Sequence, residues 1–247
     1  MTKSMAQMSH PRNGYAQPQQ QLALLCALAL LLLAVWSMAA SAHNVSGRDA
    51  AYITSTAGAH IIPYLYLGAK HMMTGYDHLL FLVGVVFFLR RLKDVLIYVT
   101  LFSLGHSTTL LLGVLAGIRV NSYAVDALIG FSVVYIVFDN LGGFRTLFGV
   151  QPNTKWAVFG FGLVHGFGLA TKVQELSPPA DGLVPNIIGF NVGIELGQLL
   201  ALSAILALIL WWRRTATFTR YALVANFLII TAGFTLTGYQ LAGFLTR

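Results

Sequence analysis

The stretch Gly68–Leu82, GAKHMMTGYDHLLFL, puts two histidines and an aspartate, His71, Asp77 and His78, at the head of a run that stays apolar through Leu89. Ionisable side chains in such a run are costly, and what surrounds them decides their meaning. The chain has 247 residues, 57% hydrophobic and 9% charged, against about 25% charged in an ordinary soluble domain. So apolar a chain cannot hide its surface in one soluble core, and it reads as an integral membrane protein in a lipid bilayer. The formal net charge of +7 then speaks to orientation in the membrane rather than to nucleic acid, which is not an expected partner. Cys26 is the single cysteine and lies in an apolar run. It excludes a disulfide framework or a thiolate metal site within one chain.

Outward from this stretch, six apolar spans are expected near 62–89, 94–118, 122–142, 155–173, 185–211 and 218–245. Each supplies the ~20 residues that a bilayer-spanning helix needs. No window alternates long enough for a membrane strand. The fold class is therefore all-α, a polytopic transmembrane bundle of six helices without a soluble domain. The longest polar interruption is Thr171–Asn186, where Pro178-Pro179 forbids a continuous helix.

Residues 1–42 are expected to form a separate targeting segment. A Gln-rich polar stretch, Met1–Gln21, reads as disordered. It precedes the apolar Leu22–Trp36 and the small-residue pattern Ala40-Ser41-Ala42. That is the layout of a cleaved signal peptide that would leave His43 at the mature N-terminus; the alternative is an uncleaved anchor helix. Residues 43–247 form the transmembrane domain. The first, third and fifth connections carry eight Lys and Arg, including Arg90, Arg91, Arg145, Arg213 and Arg220, whereas the second, fourth and C-terminal segments carry three. The excess marks the first set as cytoplasmic. The expected location is a bacterial inner membrane, with mature N-terminus and C-terminus on the periplasmic side.

Gly189, Gly193 and Gly197 recur every four residues, as do Gly113 with Gly117 and Gly162 with Gly166. Small residues at this spacing let helices approach closely, here within one bundle; a homo-oligomer is the alternative use.

Polar residues inside the spans are the candidate site. They are His71, Asp77 and His78; His106 and Ser107; Asp126; His165; and Asn191, Glu195 and Gln198. With the topology applied, His71, Asp77, His78, His106, His165 and Glu195 fall at similar depth on the outward side of the midplane. Imidazole and carboxylate without thiolate suit a divalent transition metal ion, Ni²⁺, Co²⁺, Zn²⁺ or Cu²⁺, as a substrate or a bound ion. His71 and His78 share a helix face but stand roughly 10 Å apart along an ideal helix. Gly75 between them is where a bend would bring them together. Asp77 either bridges to the same ion or orients a neighbouring imidazole. Asn191, Gln198, Ser107 and Asp126 are expected as pathway or supporting residues, with a helix-dipole role the alternative for Asp126. For any one histidine alone, a hydrogen-bonded packing role competes; the whole set favours a metal or proton site.

His71, Asp77 and His78 form H-x5-D-H in the first mature span. With DHLLFL, GHSTTL, LVHGFGLA and FNVGIELGQ following in order, the chain over about residues 60–210 resembles the HupE/UreJ family of membrane proteins. That resemblance implies a signal-like segment before a helical bundle. It also implies a nickel permease serving hydrogenase and urease maturation, with a metallochaperone or an enzyme-maturation protein as a partner. The nickel permeases carry a second motif, F-H-G-x-A-H-G-x-E. Here only Val164-His165-Gly166 corresponds, as in the HupE/UreJ-like branch, with Glu195 on the next span.

The expected function is a secondary permease for a transition-metal cation, Ni²⁺ or Co²⁺ foremost, rather than an enzyme. Its intramembrane site would be open to the outside, and Glu195 would change protonation. No ATP-binding motif is present. Two other readings stay open: a Zn²⁺ membrane metalloenzyme with Glu195 or Asp77 as general base, and a metal-delivery or assembly subunit.

Overall fold

The computed structural model describes residues 47–246 apart from Phe88, Arg90 and Arg91. The signal or anchor segment, His43, Arg90 and Arg91 lie outside the described residues. The described chain is helical, without strands: α1 Gly47–Ser55, α2 Ile61–Thr74, α3 Tyr76–Val86, α4 Leu92–Leu115, α5 Ser122–Asn140, α6 Gly143–Phe148, α7 Thr154–Glu175, α8 Leu183–Trp212 and α9 Ala216–Leu245. Five of these, α4, α5, α7, α8 and α9, are long and apolar enough to cross a membrane, and α3 is a shorter apolar helix. The chain is an integral membrane protein with the expected helical bundle.

The first expected span is corrected. Residues 62–89 are not one helix but two, α2 and α3, separated at Gly75. Its ψ of 98° takes the chain out of the helix, although its N–H still reaches the His71 carbonyl at 2.9 Å. Two short helices, α1 and α6, also escaped the sequence reading. Both are too short for a span, and α6 buries no residue.

Three helix pairs make the frame: α4 with α7, α2 with α8, and α5 with α9. Each is closed by glycine. A side chain at Gly193 would run into the Leu65 carbonyl, and one at Gly189 or Gly197 would fall 2.8 or 2.7 Å from the carbonyls of Ile61 or Ala69. Gly162 and Gly166 lie in the same way against the backbones of Phe102 and His106. Matched residues ascend together in α2 and α8 and in α4 and α7, so those pairs are parallel. Gly130 opposite Thr237 and Gly233 opposite Val134 make α5 and α9 antiparallel. These relative directions are those of a six-crossing chain in which α2 and α3 share one crossing. The glycine stripe serves packing within the bundle, where close backbone approach gains dispersion contacts.

The short α3 runs through the middle and touches α2, α4, α5, α8 and α9. Its last carbonyls point into the protein and need donors. Arg213, at the end of α8, supplies them: its guanidinium donates to the carbonyls of Leu89 (2.6 Å), Val86 and Phe87. Replacing it by Met keeps the apolar stem and strands these carbonyls. Arg213→Met is expected to destabilise the bundle by roughly 1.5–3 kcal/mol, the range for hydrogen bonds to a charged group. Thermal unfolding of the purified protein checks this, and an unchanged Tm would refute the capping role.

Two apolar clusters fill the interior. One gathers Phe81, Val85, Phe102, Val133, Val158 and Ile209 toward the α8–α9 turn. The other gathers Tyr64, Met72, Leu82, Leu110, Leu169 and Phe190 toward the opposite end. Along α4, along α7 and along the broken α2–α3 segment, the residues between a member of one cluster and a member of the other include a histidine.

Candidate functional site

That intermediate layer holds His78 between Met72 and Phe81, His106 between Phe102 and Leu110, and His165 between Val158 and Leu169. His78 and His106 are 1% exposed, and His165 is 0% exposed. His78 is the hub. Its ring centroid lies 4.9 Å from that of His165, 5.7 Å from His71 and 6.0 Å from His106, each meeting edge to face. Four helices thus deliver four of the chain's seven histidines to one place.

The break at Gly75 makes this possible. In a straight helix the two residues would stand roughly 10 Å apart; across the break their rings are 5.7 Å apart. The break also brings two opposed helix ends to the site. His71 sits in the last turn of α2, at the partly negative end, and Asp77 in the first turn of α3, at the partly positive end. Each complements its helix end, and broken helices of this kind are how membrane transporters aim helix termini at a substrate.

Hydrogen bonds assign the tautomers. His78 Nδ1 lies 3.0 Å from Asp77 Oδ1, so Nδ1–H donates to the carboxylate and the lone pair is left on Nε2. Asp77 is 2% exposed and acts as an orienting carboxylate, one of the two roles its spacing allowed. Ser132 Oγ donates to the Ile129 carbonyl at 2.6 Å and lies 3.2 Å from His165 Nε2. Its one proton is thereby spent, so His165 donates from Nε2 and keeps its lone pair on Nδ1. His106 stacks on Phe102 at 6.0 Å, and neither of its ring nitrogens has a hydrogen-bond partner among the described residues. A buried donor left unpaired costs about 1–3 kcal/mol, a cost that a leucine there would avoid. With metal–nitrogen bonds of about 2.0–2.1 Å, two imidazoles sharing an ion have centroids roughly 5–6.5 Å apart. The observed separations lie close to that range. Among the described residues, however, no group of three or more His, Cys, Asp or Glu side chains is already arranged to hold an ion. A third ligand therefore needs a ring to turn.

The other expected residues fall elsewhere. Glu195 is exposed on the outside of the bundle, where Ser107 Oγ donates to its Oε1 at 3.2 Å. One turn along the same α4–α8 seam, Ser103 donates to buried Gln198 at 2.9 Å. Asn191 is buried, with no hydrogen bond to its Oδ1 among the described residues. Asp126 pairs with Lys172 at 2.7 Å, tying α5 to α7. Ser132 was missed by the sequence reading. A lone serine within an apolar helix usually bonds its own backbone, as this one also does, so nothing in the sequence marked it.

A family model described as HupE / UreJ protein matches residues 47–247. The chain belongs to the HupE/UreJ family. The match takes in every described helix, including α9, which lies beyond the stretch that carried the resemblance. No curated protein and no solved structure matches the chain. HupE/UreJ proteins are associated with nickel and cobalt transport. Membership thus makes a transition-metal ion the substrate class and favours a transporter over an enzyme. In this HupE/UreJ protein the H-x5-D-H motif is the α2–α3 break itself.

Gly75 is tested directly. A Cβ there would lie 3.1 Å from His78 Nδ1 and 3.3 Å from Asp77 Oδ1, tighter than ordinary contact. Gly75→Ala is expected to leave the protein folded and to lower metal binding severalfold by displacing the Asp77–His78 pair. Titration calorimetry checks it, and wild-type affinity would show that the pair does not set the site.

Proposed function

We propose that this protein is a secondary permease for a divalent transition-metal cation, Ni²⁺ or Co²⁺ foremost, which it passes through His71, His78, His106 and His165. The carrying observation is the convergence of four imidazoles from four helices around His78, buried between two apolar clusters. His71 is half-buried and belongs to the outer approach, while His78, His106 and His165 form the inner set. Rings near each other but not yet closed around an ion suit transport, since a conducting site must release what it binds. The three glycine-closed pairs behave as stiff units. The α4–α8 seam, held by side-chain pairs rather than glycine contact, is the place where they part to open the buried layer. The loop charges support periplasmic termini, and an inner-membrane location is part of the same proposal. A targeting segment over residues 1–42, preceding a transmembrane domain over 43–247, completes the proposed organisation.

The test is uptake of Ni²⁺ and Co²⁺ by proteoliposomes under an imposed proton gradient, with metal bound to purified protein measured in parallel. Uptake that falls as pH is lowered supports the reading, because protons compete for the same nitrogens. Binding without uptake would point to a delivery subunit, and neither binding nor uptake would overturn the metal reading.

A further inference from the structure

We propose that the cleft between α8 and α9 binds an acyl chain of an anionic phospholipid, with the headgroup at the α8–α9 turn. The inference rests on residues that the metal reading does not use. α8 and α9 are consecutive, yet α8 packs on α2 and α9 on α5; each touches α3, and they scarcely touch each other. Between them lies a space of about 300 Å³, open on one side, with an almost wholly apolar lining. Leu80 and Val83 of α3, with Phe87 just beyond it, make the floor; Ile209 and Trp212 make one wall and Ala225 the other. Water finds no hydrogen-bonding partner in such a lining. In a membrane protein, the apolar molecule at hand is a lipid chain.

Charge selects the headgroup. Arg213 is engaged with the α3 carbonyls, but Arg214 and Arg220 flank the turn and are exposed. Basic side chains at a membrane surface attract anionic headgroups, a preference that salt screens. Trp212, at the end of α8 and in the cleft wall, marks the interfacial level at which a headgroup would sit. Because the floor is α3, an occupied cleft braces the helix that carries His78.

The experiment uses the full chain in detergent, with phosphatidylglycerol and phosphatidylcholine as probes. Phosphatidylglycerol is expected to stay bound through washing, at one lipid per chain by native mass spectrometry. It should also raise Tm by several degrees more than phosphatidylcholine does. Arg214→Gln with Arg220→Gln should erase that difference. Ala225→Trp, which fills the cleft, should abolish both retention and response. Equal responses to the two lipids in the unsubstituted protein, or retention by Ala225→Trp, would overturn the proposal. If Ala225→Trp fails to fold, the arginine pair decides alone. A dimer that Ala225→Trp converts to monomer would assign the cleft to a second copy instead, and would likewise overturn it.

Discussion

His78→Ala is expected to abolish metal uptake while the protein still assembles. His78 is the one ring within 6.0 Å of the other three, so its loss removes a ligand and also separates the remainder. Affinity should fall by more than the roughly 10–100-fold typical of removing an outer-shell partner. The cavity left by the imidazole lowers stability, but by much less than the loss of binding implies. Asp77→Asn isolates the orienting role. It keeps the shape and removes the charge that holds the Nδ1 proton, so binding should weaken less than in His78→Ala. His71→Ala, which alters only the approach, should be partly rescued by raised external metal. Metal titration and proteoliposome uptake on this set decide the matter. Normal uptake by His78→Ala would make the imidazole layer structural and sink the permease reading.

Gly193→Leu should prevent the bundle from assembling. The obstacle is the Leu65 carbonyl, with the Ala69 amide nitrogen 3.0 Å from the added Cβ. Backbone cannot swing aside as a side-chain end can. The cost therefore exceeds the ~1–3 kcal/mol of ordinary core overpacking. Loss of the α2–α8 pair also detaches α2 from the frame and so disturbs the Gly75 break. The expected result is little monodisperse protein on size exclusion and a Tm too low to measure. Gly193→Ala should show a milder form of the same defect. A stable, monodisperse Gly193→Leu protein that has lost only transport would instead place Gly193 on the ion path.

Some of the candidate site was legible because its residues are marked by type and order alone. The imidazoles of His71, His78, His106 and His165 stood out since ionisable groups are rare in apolar spans, and loop charges put them at one depth. Gly75 was readable as the place for a bend, because glycine is the residue that lets a helix stop there without crowding His78. Glu195 was not legible in the same way. In a soluble helix, an apolar stripe tells which side faces the core. In a membrane helix, the lipid face and the core face are both apolar, so the rotation of α8 about its axis leaves little trace in the sequence.

By itself, then, the sequence determined the membrane class, the spans after the first, and the identity of the histidines, since hydropathy and residue chemistry are properties of the linear chain. Only the tertiary structure decided that Gly75 splits the first span, that Ser132 and Asp77 set the tautomers of His165 and His78, and that Glu195 turns outward to Ser107. Those outcomes follow from how closely backbones meet at Gly193, Gly166 and Gly130. Such approaches set each helix's rotation, and they exist only once the helices are packed together.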